Sequence, residues 1–327
     1  MVKVAILDDY ANAALRLADW SAVKELADIQ VYDQHLSAAE IISTLQPFEM
    51  ICTLRERVRL TKTVLDQLAN LKVIVVTDAH VRTIDYAATE ARGIQILEAR
   101  APENLPSAPS STSEFVWGLI LATLRHIPSE ATRLREGKWQ HTLGEPLAGK
   151  TLGLVGLGKI GSKIAHYARA FDMQVLAWSQ NLTADAAEGA GARQVDKDTL
   201  FREADVVSIH YALSNRSRGL VGAAELGAMK TTAYLINTSR GPIVDEEALV
   251  SALRNKQIAG AGLDVFDEEP LPKDHPFAQL DNVTATPHLG FVTETTMRRF
   301  YVGTALAVAS YLRGGPLPLL SAADLPR

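Results

Sequence analysis

The sequence predicts an α/β protein made of two doubly wound parallel-sheet units. Three observations point there. Short apolar runs alternate with helical stretches along most of the chain, the pattern of parallel strands joined by crossover helices. That series occurs twice, on either side of a proline-rich joint at residues 98–112. The chain has 327 residues, more than one typical core accommodates, so two domains are expected.

The first series places strands at residues 2–7, 29–31, 50–52, 73–76 and 94–97, with amphipathic helices at 11–26 and 61–68. The N-terminus, MVKVAILDDY, opens directly as a strand and lacks a signal-peptide pattern. In the joint, Pro102, Pro106 and Pro109 interrupt regular structure, and residues 110–113 stay polar. Ser111 and Glu114 have capping-box spacing and open a helix through 115–124. That stretch is the longest apolar run and is far too short to span a bilayer. The second series places strands at 151–155, 174–178, 206–209, 233–236, 259–263 and 283–285. A long helix at 293–312 is expected to return to the first unit, making that domain discontinuous. The expected division is therefore 1–100 with 293–327, and 101–292. Pro316 and Pro318 are expected to end regular structure.

The chain carries 38 acidic against 33 basic residues, a net charge of −5, with no dense Lys/Arg run; this excludes a nucleic-acid surface as a partner. No membrane partner is expected either. The sole cysteine, Cys52, has no mate for an internal disulfide and sits in an apolar stretch, which predicts a buried, inert thiol. A reduced, cytoplasmic setting follows. The eight histidines are scattered without ligand spacing, so no metal site is expected.

The turn TLGLVGLGKIG holds the spacing Gly156-x-Gly158-x-x-Gly161 between an apolar run and a helical stretch at 159–171. In that setting the first glycine permits the tight turn. The second lets backbone approach a pyrophosphate, and the third allows close helix–strand packing. The helix start, with Lys159 and Ile160, presents N–H groups and the positive dipole end to the phosphates. The pairs Gly189/Gly191 and Gly260/Gly262 lack a third glycine in register. The residue ending the next strand should meet the adenosine ribose, where an acid selects NAD. Here that position is Ser179, followed by Gln180 and Asn181. No carboxylate repels a 2′-phosphate and no cation holds one. NADP is therefore expected to be moderately preferred, with NAD still usable. Asp172, too early for this role, suits a left-handed helix end.

Three downstream segments carry further chemistry: INTSRGPIVDEEAL, GLDVFDEEPLP and TPHLG. Arg240 is a permanent cation whose forked donors match a carboxylate and a neighbouring carbonyl. An imidazole titrates near neutral pH, so one at His288 can exchange a proton with an alkoxide. Glu269 can fix the tautomer of such a ring and favour its charged form. Taken singly, each has an ordinary reading: a structural histidine, a capping or ion-paired arginine, one acid of an acidic turn.

In combination these segments resemble the D-isomer-specific 2-hydroxyacid dehydrogenase family, over about residues 45–315 and most closely over 147–293. The resemblance implies a Rossmann-type cofactor domain inserted into a flavodoxin-like substrate domain, with a cleft between the two. It implies hydride transfer between NAD(P)H and a 2-oxo acid to give a D-2-hydroxy acid, with a small-molecule substrate and a homodimer formed through the cofactor domains. By position, Arg240 would bind substrate, Glu269 would be the carboxylate partner and His288 the acid/base. Glu269 is chosen over Glu268 because it directly precedes Pro270, as in the family motif. Asp264 would face the nicotinamide carboxamide. His210, Ala212 and Thr238 would line the cofactor cleft.

Departures from the family pattern fall around the substrate. Many members carry a glycine-containing loop before an Ile-Asp pair; here residues 77–83 contain no glycine, and His80 and Val81 occupy the substrate-facing stretch. Phe291 is bulky where many members are small, and either narrows the pocket or packs on the returning helix. Arg55 either approaches the substrate from the first domain or forms a surface ion pair. The alternative function is a dinucleotide-sensing binding protein of the corepressor type, without significant turnover. A panel of 2-oxo acids separates the two.

Overall fold

Apolar, largely β-branched runs at the start of the chain form five parallel strands. They are β1 (Val2–Ile6), β2 (Ala27–Val31), β3 (Met50–Thr53), β4 (Val73–Val76) and β5 (Gln95–Glu98). All of β3 and β4 is buried, as expected for strands covered on both faces. Cys52 is buried within β3, and burial pushes its thiol well above the ordinary range. The computed structural model describes residues 1–77 and 81–320. These divide into one compact unit of Met1–Ala108 with Thr293–Arg327 and another of Pro109–Val292.

The helix expected at 11–26 is two short ones, Ala14–Leu17 and Ser21–Lys24. The reason is local. Asp19 accepts a hydrogen bond from the Ser21 N–H (2.9 Å), and the Trp20 indole donates to the Ala14 carbonyl (2.9 Å). Both bonds compete with the helical ladder and leave Ala18 extended.

The second unit opens with helix Ser111–Leu124, without the expected capping box. Its N-cap is Ser110, whose hydroxyl is engaged by Lys163 rather than by the helix. Strands β6 (Thr151–Val155), β7 (Gln174–Trp178), β8 (Arg193–Gln194), β9 (Val206–Ile209), β10 (Tyr234–Asn237), β11 (Gly260–Leu263) and β12 (Val283–Ala285) follow. They form one parallel sheet ordered β12-β11-β10-β9-β6-β7-β8. The chain winds outward in both directions from β6 and β9, which places a topological switch point between them. Alternate strand residues feed opposite cores. Val207, Ile209, Leu235 and Leu263 pack on one face; Val206, Tyr234, Ile236 and Leu154 pack on the other.

Helix Lys159–Ala170 ends as the sequence suggests. Asp172 is left-handed (φ 57°), and its N–H and that of Met173 bond back to Arg169 and Ala168, a Schellman closure.

The returning helix, Glu294–Leu312, is capped by Thr293 and packs in the first unit. A Cβ at Gly303 would lie 2.6 Å from the Ala99 carbonyl oxygen, and the Tyr301 hydroxyl donates to Asp9 (2.8 Å). Regular structure does not stop at the prolines. β13 (Leu319–Leu320) pairs antiparallel with β5, and Pro318 accepts from the Glu98 N–H (2.8 Å). An edge strand needs hydrogen bonds on one side only, so a neighbouring proline is tolerated. Among the described residues, no helix is long and apolar enough to cross a membrane.

Candidate active site

The carboxyl ends of six strands of the second sheet carry the polar residues singled out in the sequence. The glycine turn follows β6. Gly156 has φ 100°, and a Cβ there would sit 2.5 Å from the His210 carbonyl oxygen. A Cβ on Gly161 would sit 2.3 Å from the Gly156 carbonyl oxygen. These two glycines are required by the protein's own packing. Gly158 differs, because a Cβ there meets nothing within 4 Å. Its bareness leaves open space at the start of a helix whose N-terminus no side chain caps. Lys159 is exposed there, and Ile160 is half-buried. This cradle fits a dinucleotide pyrophosphate.

The end of β7 is tied to the turn by the Gly156 N–H donating to the Trp178 carbonyl (2.8 Å). Ser179, half-buried, begins a reverse turn with exposed Gln180 and Asn181. After β9, the His210 ring bonds Ser208 through Nε2 (2.9 Å). Burial pulls its pKa down to about 4, so it stays neutral. Ala212 is exposed, and its carbonyl accepts from the Ser217 hydroxyl (2.7 Å). Tyr211 stacks on Trp178 with an interplanar angle of 17°. Neither aromatic stood out in the sequence, since each is one ordinary strand-end residue.

After β10, the buried Asn237 amide shapes the next turn. It accepts from the Ser239 N–H (3.1 Å) and donates to the Arg240 carbonyl (3.0 Å). Thr238 is nearly buried within this turn. A Cβ on Gly241 would lie 2.1 Å from the Phe266 carbonyl carbon, so only glycine lets the Arg240 segment approach the Glu269 loop this closely.

Glu269 Oε1 accepts from the Phe266 N–H (3.0 Å), and Oε2 meets His288 Nδ1 at 2.7 Å. Burial alone would raise the Glu269 pKa. The hydrogen bond and charge of His288, the Phe266 N–H and the Arg240 charge outweigh it, so the carboxyl lies below its ordinary value. An ionised carboxylate only accepts, which puts the proton on Nδ1 and leaves Nε2 outside the pair. Glu268, the neighbouring acid, is exposed.

His288 itself is left-handed (φ 53°), a conformation that costs a residue with a Cβ energy. Asp264 holds it there. Fully buried, its carboxylate accepts from Thr286 Oγ1 (2.7 Å), the Leu289 N–H (2.7 Å) and the Gly290 N–H (2.9 Å). Burial nevertheless leaves its pKa raised against these donors and the His288 charge. Asp264 therefore lies beneath the His288 turn, with no exposed surface to offer a nicotinamide. Phe291 packs edge-to-face on the His288 ring, with centroids 5.5 Å apart.

The remaining substrate candidates lie in the first unit. Arg55 is left-handed (φ 53°), and its N–H donates to Thr77 Oγ1 (2.8 Å). Val81 is fully buried in that unit's core, so its side chain has no surface for a substrate. His80 lies outside the described residues. No group of three or more potential metal ligands occurs among the described residues.

A glycine cradle at the switch point of a doubly wound parallel sheet, with an imidazole–carboxylate pair on the same strand ends, defines a dinucleotide-binding unit of Rossmann type. Residues 117–290 match the family model for the NAD-binding domain of D-isomer-specific 2-hydroxyacid dehydrogenases. The chain belongs to that family. It is 36% identical to the glyoxylate reductase of Thermofilum pendens, over 92% of this chain and 90% of that one. It is 35% identical to the D-3-phosphoglycerate dehydrogenase of Synechocystis sp. over its whole length. It spans 56% of that relative, and 58% and 54% of two other phosphoglycerate dehydrogenases it matches. The crystal structure of a phosphoglycerate oxidoreductase from Vibrio cholerae superposes with a TM-score of 0.86 at 35% identity, covering 96% of this chain and 100% of that one.

Proposed function

We propose that this chain is an NAD(P)-dependent 2-oxoacid reductase, giving a D-2-hydroxy acid or running the reverse oxidation. The observation that carries the reading is the 2.7 Å His288–Glu269 pair, placed on the unit that holds the glycine cradle. A bound reduced nicotinamide supplies the hydride. The protein's residues do the rest. Arg240 binds the substrate carboxylate and polarises the neighbouring carbonyl with its fork. Glu269 keeps a proton on His288 Nδ1 and favours the imidazolium. Nε2 then gives its proton to the developing alkoxide and recovers it in the reverse direction. Phe291 packs edge-to-face on that ring. Arg55 and His80 are kept as substrate contacts from the sequence alone, and the buried Val81 side chain is not.

A small 2-oxo acid of the glyoxylate or hydroxypyruvate type is the favoured substrate, supported by relatives named glyoxylate reductase and hydroxypyruvate reductase. The test is cofactor oxidation with glyoxylate, hydroxypyruvate, pyruvate, phenylpyruvate and branched 2-oxo acids, using NADH and NADPH. Turnover is expected with at least one. His288→Ala should lower it by roughly 10²–10⁴-fold while dinucleotide affinity holds. No turnover with any pair, alongside tight dinucleotide binding, would favour the sensing protein instead.

NADPH should be moderately preferred, because residues 179–181 offer donors but no carboxylate. Ser179→Asp should move preference toward NADH by restoring ribose bonding and phosphate repulsion. A parent that turns over NADH far better than NADPH contradicts this preference. A homodimer formed through the cofactor-binding unit completes the reading.

A further inference from the structure

A second carboxylate–imidazole pair closes the base of the loop that carries Glu269. Glu246 is the first residue of helix Glu246–Arg254, whose N-cap is Asp245. Its Oε1 meets His275 Nε2 at 3.0 Å, and its Oε2 accepts from the Asp267 N–H at 3.5 Å. His275 is the N-cap of helix Pro276–Gln279, and its Nδ1 accepts from the Phe277 N–H (3.2 Å). With Nδ1 an acceptor, the ring proton sits on Nε2 and is donated to Glu246. One carboxylate thus ties residue 267 to residue 275, with Glu269 on the span between them.

The same base is packed. The buried Phe277 ring lies 4.9 Å from the His275 ring and 6.2 Å from Phe266, centroid to centroid. Phe266 in turn provides the N–H that holds Glu269 Oε1. A continuous set of contacts therefore runs from Glu246 and His275 to the carboxylate under His288.

We infer that Glu246 and His275 are positioning residues for Glu269. The inference rests on the acid/base reading of the Glu269–His288 pair. Without the tie, the span 267–275 keeps only the packing of Phe266 and Leu271 on the core, and Glu269 drifts from Nδ1; a misplacement of about 1 Å can cost 10²-fold in rate. The charged groups facing this base are Asp245, Asp267 and Arg218; those facing the pair are Arg240 and Asp264. The hydrogen bond and charge of His288 hold the Glu269 carboxyl below its ordinary value, and that coupling weakens as Glu269 drifts.

The experiment measures kcat, KM and the pH profile of 2-oxoacid reduction, with dinucleotide affinity as the check on folding. Glu246→Ala and His275→Asn are expected to lower kcat about tenfold or more and to move the alkaline limb to lower pH, at unchanged dinucleotide affinity. Asn keeps the acceptor for the Phe277 N–H but cannot reach Glu246. His275→Gln, which can donate to Glu246, should recover most of the rate, whereas Glu246→Gln, which keeps one acceptor and turns a donor toward the other partner, should recover only part of it. A His275→Asn enzyme like the parent beside an impaired His275→Gln overturns the inference, since His275 then only caps a helix. If Glu246→Ala does not fold, the His275 contrast decides alone. Glu269→Gln is run in parallel and must itself move the alkaline limb. If it does so while Glu246→Ala and His275→Asn do not, only the inference falls. If Glu269→Gln leaves the profile unmoved, the acid/base reading falls and takes the inference with it.

Discussion

At the scale of single residues, the left-handed His288 needs a force that keeps it there. Such a conformation costs roughly 1–3 kcal/mol in a residue with a Cβ. Asp264 supplies that force through three accepted hydrogen bonds around the turn. Asp264→Ala leaves the Leu289 and Gly290 N–H groups without their acceptor, each costing roughly 1–3 kcal/mol if left buried and unpaired, while Thr286 keeps the Leu263 carbonyl. It should lower the thermal midpoint and reduce kcat far more than dinucleotide affinity. The opposite pattern, weak dinucleotide binding with normal turnover at saturation, would restore the nicotinamide contact that the family resemblance implies. The sign for Glu269 is the reverse of that for Asp264. With its folded pKa lowered, Glu269 contributes stability that is present above the ordinary carboxyl range and is lost as pH falls through the depressed value. Arg240, Glu269 and His288 stand out in the sequence because each lies in a run of distinctive neighbours. The clamp was not. Asp264 reaches partners 22 to 26 residues away, and no local spacing announces that. Asn237, which shapes the Arg240 turn, is equally silent in the sequence.

At the scale of elements, the three glycines of the turn separate into two kinds of requirement. Gly161→Ala drives a Cβ into backbone 2.3 Å away, so folding of the cofactor-binding unit should suffer together with dinucleotide affinity. Gly158 has open space and a negative φ of −83°, so Gly158→Ala is compatible with the backbone. Its thermal midpoint should match or slightly exceed the parent's, while dinucleotide affinity falls about tenfold or more, a loss of about 1.4 kcal/mol. Paired melting curves and binding isotherms decide this. Unchanged affinity in Gly158→Ala would remove the pyrophosphate from that position. Most strands were legible because their apolar runs are contiguous and the spacers are helical. The two-residue strands β8 and β13 were not, since two residues cannot show a period. The early helix was misread as continuous because its apolar pattern persists across Asp19 and Trp20, where hydrogen bonds to the backbone interrupt it.

At the scale of the whole molecule, the cofactor-binding unit presents one surface that its own fold leaves uncovered. Helix Ile127–Arg135 buries none of its residues. Along it and the segment that follows, Ile127 is 54% exposed, Leu134 58%, Trp139 78% and Leu143 95%. Scattered exposed apolar residues are normal; four within one short stretch favour this face for the proposed homodimer. A nine-residue helix without a buried face is also marginal on its own. Beside it runs a groove lined by Thr132, Arg133, Phe277, Asn282 and Val283, along the edge strand β12. A second copy of the chain covering this surface would bury the four apolar side chains and leave the strand-end site unchanged. Light scattering coupled to size exclusion should therefore give twice the chain mass. Trp139→Asp combined with Leu143→Asp should give the single mass, with a lower thermal midpoint and the glycine cradle still able to bind dinucleotide. Because dissociation follows mass action, the parent's midpoint should also rise with protein concentration, and the double variant's should not. A parent that elutes at the single mass over the whole concentration range removes the dimer. A double variant that stays at twice the mass moves the interface elsewhere.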